Sequence, residues 1–113
     1  MELNRIGKNA YNALNRISAE KVAAKTCTEK ENKIIYKHIS SISSVCYHIK
    51  ETINDIKDEH IKNLYKNEYS TLLHIYEEFD TEVDTFEHYK LSIVLAKTLK
   101  DAQASNLLAS ICE

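Results

Sequence analysis

The chain has 113 residues, 43% hydrophobic and 28% charged, with one Gly, no Pro and no Trp, which is the length and make-up of a single folded domain, taken here as residues 1–113. Without Gly and Pro the tight turns of sheet proteins are hard to build, so an all-α fold is expected. A net charge of −2 excludes the basic excess of a nucleic-acid binder, and no apolar run approaches a membrane span of about 18 residues, so neither nucleic acid nor membrane is expected as a partner.

In chain order, the first segment places Leu3, Ile6, Ala10, Leu14 and Ile17 three or four residues apart, which predicts an amphipathic helix over about 2–24. Thr28-Glu29-Lys30-Glu31 is a capping-box pattern. The Thr28 hydroxyl can accept from the N–H of Glu31 while the Glu31 carboxylate reaches back to that of Thr28. It opens a helix over about 29–57 whose residues Ile35, Ile39, Ile42, Cys46, Ile49, Ile53 and Ile56 alternate spacings of four and three. The spacing then widens to nine around Lys57-Asp58-Glu59-His60, where Asp58 is the expected cap of a third helix over about 60–79.

That third segment carries Tyr65, Tyr69, Leu72, Tyr76, Phe79, Val83 and Phe86 in the same rhythm, running through Thr81-Glu82-Val83-Asp84, which is itself a cap pattern. Taking the cap as a break gives a fourth helix over about 82–111 with Leu91, Val94, Leu95, Leu99, Ala102, Leu108 and Ile111 inward, and an antiparallel four-helix bundle. Taking the rhythm as continuous gives three long helices. The second helix would be about 43 Å long. A seam of isoleucines that long favours association of several helices, so a homo-oligomer is expected.

Charge is unevenly distributed. Residues 1–30 hold six Lys/Arg against three acids, and residues 61–90 hold three against seven. Such polarity suits pairing with a partner or a second copy. Seven Tyr outnumber two Phe, and Tyr65, Tyr69 and Tyr76 stand where Leu is usual. A phenol needs water or a partner for its hydroxyl, so these three are expected at a half-exposed surface. With the acidic Glu77, Asp80 and Asp84, they make the candidate face for a protein partner.

Two further constellations carry chemistry. Lys25-Thr26-Cys27-Thr28 precedes a helix start, where free N–H groups attract anions. Lys21, Lys25, Thr26 and Thr28, with Tyr11 and Asn12 folding over from the first helix, form a candidate site for a small anion such as a nucleotide, which the protein would sequester. His74-x-x-x-Glu78 and Asp84-x-x-x-His88 mirror each other about residue 81. Across a hairpin those four side chains suit a divalent metal. No other cofactor is expected.

Enzymatic signatures are missing. There is no Gly-rich loop or G-x-S-x-G, and the paired Glu-x-x-His of di-iron carboxylate proteins is absent. His48 lacks the Lys and Gly that follow a phosphotransfer histidine. Glu77-Glu78 is followed by Thr81 where all-α nucleotide pyrophosphohydrolases have Glu. Cys46 lies in the apolar seam and Cys27 beside a cap, with Cys112 near the end. An odd count without C-x-x-C suits free thiols and a cytoplasmic setting. The expected function is therefore non-enzymatic protein–protein interaction of the inhibitor, adaptor or immunity type after self-association.

Overall fold

A computed structural model of the protein describes residues 3–102. Among them are six helices and no strand: α1 (Leu3–Asn15), α2 (Ala19–Ala24), α3 (Glu29–Asn54), α4 (Glu59–Glu68), α5 (Ser70–Thr81) and α6 (Thr85–Asp101). The expected core positions Leu108 and Ile111, and Cys112, lie outside the described residues. No helix among the described residues is long and apolar enough to cross a membrane.

The caps are where the sequence placed them in two cases. At α3 the Glu31 N–H donates to Thr28 Oγ1 at 3.1 Å and the Thr28 N–H to Glu31 Oε1 at 2.9 Å. Those two bonds answer donors that a helix start otherwise leaves open. Asp58 accepts from the N–H groups of His60 and Ile61 and starts α4.

Elsewhere the boundaries differ. The expected helix over 2–24 is two helices: α1 stops at Asn15, and Ser18 caps the short α2 by accepting from Lys21 N. The expected helix over 60–79 bends at Tyr69, whose φ of −104° and ψ of 18° separate α4 from α5. Backbone bonds still run through the bend, Tyr69 N to Tyr65 O and Leu73 N to Tyr69 O, both 2.9 Å. The chain turns between α5 and α6, so one long final helix is not what forms. The cap there is Asp84, which accepts from Phe86 N and Glu87 N. Thr81 instead donates its hydroxyl back to Glu77 O and Glu78 O.

Helix α1 lies on α6 in opposite directions. Asn4 near its start meets residues 99–102, and Leu14 near its end meets Tyr89. The Asn4 amide donates to the carbonyls of Leu99, Lys100 and Ala102 at 3.2, 2.8 and 2.7 Å, answering the acceptors that the end of α6 leaves open. Between these contacts Gly7 lets the backbones touch. A Cβ there would sit 2.6 Å from Ala96 O and 2.8 Å from Leu99 C, and closest of all to Lys100 N.

Helix α1 also packs on α3, and α3 contacts α5 and α6. The main core gathers Leu3 and Ala10 of α1, Ile42, Cys46, Ile49 and Ile53 of α3, Leu72, Tyr76 and Phe79 of α5, and Leu95 and Leu99 of α6. A second cluster at one end holds Leu14, Ile17, Val22, Ile35 and Tyr89. Two positions of the apolar rhythm are exposed: Val83, in the turn, at 95%, and Val94 at 46%.

Ser92 is fully buried in α6, and its hydroxyl has no hydrogen-bond partner among the described residues. A buried hydroxyl in that condition costs about 1–3 kcal/mol. Replacing Ser92 with Ala is therefore expected to stabilise the protein by about 1 kcal/mol, read as a higher urea midpoint at unchanged slope. A lower midpoint would show that the hydroxyl has a partner.

Candidate protein-contact groove between α3 and α5

Helix α3 has a second face. Its apolar seam turns inward, while Tyr36, Ser40, Ser43 and Tyr47, spaced four, three and four apart, align on a stripe roughly a quarter-turn or more away from it. Tyr36 is 60% and Tyr47 56% exposed, although each carries a large apolar ring. They stand about 16 Å apart along the helix, as two posts with Ile39 and three serines lining the groove between them.

Across from this stripe lie Tyr76, Phe79 and Asp80 of α5 and His88 of α6, and the space enclosed is an open groove of about 750 Å³. Its floor is aromatic. The Tyr76 and Phe79 rings are 6.0 Å apart, and the His88 ring lies 4.6 Å from that of Phe79. His88 Nε2 is 2.9 Å from Phe79 O. A carbonyl only accepts, so that nitrogen carries the proton. The contact stitches the start of α6 to the end of α5 and fixes one wall of the groove.

The Tyr76 side chain and Ser43 both line the groove, so the aromatic floor meets the serine stripe. Burial, with the Asp80 carboxylate next in importance, pushes this phenol above its ordinary pKa. It therefore stays a neutral hydrogen-bonding group at the groove base. Asp80 itself is exposed at the rim.

The expected face built on Tyr65, Tyr69 and Tyr76 needs correction. These residues are 3%, 4% and 3% exposed and belong to the main core. The area of the ring outweighs the demand of a single hydroxyl, and the three rings are buried. Glu77, Asp80 and Asp84 are exposed as expected, but the Asp84 carboxylate is occupied in capping α6. Tyr36 and Tyr47 form an exposed face instead. Their spacing was the available signal.

The candidate anion residues are dispersed among other tasks. Lys21 is 3.8 Å from Glu31. The hydroxyl and N–H of Thr28 are both engaged by Glu31, whose carboxyl is held below its ordinary pKa chiefly by the Thr28 N–H. The Thr26 N–H donates to Lys21 O. Tyr11 lies under Lys100 and Lys97, whose ammonium groups are 4.8 and 5.7 Å from its ring centre, and Asn12 is exposed. Lys25 closes α2 in the left-handed conformation (φ 59°). With Cys27, Asn32 and Asp84 it lines a smaller cavity of about 370 Å³.

The metal candidates do not assemble either. His74 pairs with Glu78 at 3.8 Å on the solvent side of α5, Asp84 caps α6, and His88 turns inward to Phe79 O. Among the described residues no group of three or more His, Cys, Asp or Glu is placed to hold a metal ion.

The thiols divide sharply. Cys46 is fully buried, and burial pushes its pKa up to about 12, whereas Cys27 is half-buried at the edge of the smaller cavity. Because the thiolate is the reactive form, brief alkylation of the native protein followed by peptide mapping is expected to label Cys27 and spare Cys46 until denaturant is added. Equal labelling would mean that the core around Cys46 opens readily.

Comparison of the chain with protein-family models, with curated proteins and with solved structures finds no match.

Proposed function

We propose that this protein is a non-enzymatic interaction protein, of the inhibitor, adaptor or immunity type, that self-associates and makes its contacts through the groove between α3 and α5. The observation that carries this reading is the pair Tyr36 and Tyr47, 60% and 56% exposed at the two ends of the serine stripe that walls the groove. Large exposed aromatic rings are costly to leave in water, and tyrosine is enriched where proteins meet. The pairwise packings of α1, α3, α5 and α6 are read as an antiparallel bundle, with α2 and α4 as side pieces. The free thiols Cys27 and Cys46 support a cytoplasmic setting.

The test is site-specific photocrosslinking in the cells that make the protein, with a photoreactive phenylalanine in place of Tyr47 and, as control, in place of the exposed Asn12 on α1. Protein adducts formed from position 47 and not from position 12 are expected. A reading based on contact through this groove fails if position 47 gives no protein adduct.

A further inference from the structure

The order of residues along the groove says what fits it. Tyr36 and Tyr47, Ile39 and Ser44, and Ser40 and Ser43 all line the groove, and each pair is centred on the same point, midway between Ser41 and Ile42. The exposed face of α3 therefore reads nearly the same from either end: tyrosine, serine, serine, tyrosine. A twofold-symmetric contact demands this property, because every residue must face the one that replaces it when the axis exchanges the two chains.

We infer that the occupant of the groove is a second copy of this chain, with α3 packed antiparallel on α3 about a twofold axis passing between Ser41 and Ile42. This deepens the contact reading above and rests on it. In that arrangement Tyr36 of each copy meets Tyr47 of the other at both ends, giving two ring pairs of the kind that contribute beyond their buried area. Ser40 faces Ser43 at the centre, where short side chains let the helix axes come close. A larger residue at the centre would hold the backbones apart and leave the tyrosine pairs unmade.

Charge is compatible with this placement. Asp80 is the acid of the groove lining and stands exposed at its rim, with His88 as the imidazole of the same lining. Glu77 lies outside that lining, in a recess it shares with Lys50 and Lys66. Lys33 and Lys50 come opposite one another only about 13 Å from the axis along α3, where the crossing angle of packed helices has carried them apart. Lys33 also has Glu29 beside it at 3.8 Å.

The closing experiment uses charge at Ser40, an exposed position that the axis brings within about 4.5 Å of its own counterpart along the helix. Sedimentation equilibrium of the wild-type chain is expected to show a dimer. Ser40→Glu and Ser40→Lys, each with unchanged helicity by circular dichroism, are each expected to be monomeric, because like charges meet. An equal mixture of the two is expected to recover the dimer. A monomeric wild type, a dimer that survives in both variants, or a mixture that stays monomeric would each overturn the second-copy assignment. Crosslinking from position 47 separates this from the broader reading. An adduct of twice the chain mass supports the second copy. An adduct with a different protein alone overturns it while leaving the groove as a contact face.

Discussion

Replacing Gly7 with alanine is expected to lower the melting temperature by about 8–16 °C, the equivalent of roughly 2 kcal/mol in a domain of this size. Alanine is ordinarily the better helix residue by about 1 kcal/mol, so a surface glycine in α1 would give the opposite sign. Here the added methyl meets backbone: Ala96 O at 2.6 Å, Leu99 C at 2.8 Å and the N–H of Lys100. No rotamer change in α6 can move those atoms aside. The helices must separate, and overpacking of this kind costs about 1–3 kcal/mol or more. Separation also withdraws the Asn4 amide from the three carbonyls at the end of α6. Thermal unfolding of Gly7→Ala beside Asn9→Ala, an exposed control on the same helix, checks the argument. A rise at Gly7 would mean that α1 and α6 do not approach as described.

That close approach was not visible in the sequence, although the glycine was. A lone Gly among helical spacings is equally consistent with a weak spot and with a crossing point. Only the distance to α6 decides between them. The long α3 was legible because its information is local: a capping box, then apolar residues at four and three. The same apolar rhythm misled in two places. It runs from Leu3 to Ile17 across the end of α1 and from Tyr65 to Phe86 across the turn after α5, where it counts the exposed Val83 as core. A rhythm records which side a residue takes if the helix continues, and carries no signal that it stops.

The candidate site shows the same division. Tyr36, Ser40, Ser43 and Tyr47 have the spacing of a seam, but a mixed aromatic and hydroxyl stripe does not register when only apolar residues are followed. Tyr65, Tyr69 and Tyr76 stand in the apolar rhythm, and their rings rather than their hydroxyls decide that they are buried. His88 illustrates the remaining limit. Its neighbours at helical spacing suggested a pairing with Asp84, while its ring nitrogen goes to Phe79 O, which comes within reach only because the chain folds back at 82–84.

Truncating Tyr89 is expected to be the costlier of the core changes argued here, because this residue holds the place where the first helix breaks. In an unbroken helix Leu14 O would accept from the N–H of residue 18 and Ile17 O from that of residue 21. Both of those helical bonds are lost when α1 stops at Asn15; Leu14 O accepts instead from Ile17 N at 3.3 Å, and the Tyr89 hydroxyl, 3.0 Å from each carbonyl, shares its one proton between them. The ring is 2% exposed and packs with Leu14, Ile17, Val22 and Ile35. Burial, the chief cause, raises the pKa of this phenol, so the donor keeps its proton wherever the protein is folded near neutrality. Tyr89→Ala is expected to cost about 3–5 kcal/mol through the lost ring. Tyr89→Phe keeps the ring and is expected to cost about 1–2 kcal/mol. The second variant is the informative one. Its loss should fall on amide-exchange protection in α2, a helix of 6 residues that is too short to persist without tertiary contacts. If Tyr89→Phe matches the wild type in both stability and exchange, the hydroxyl does not hold the break, and α2 is kept in place by the packing of Val22 alone.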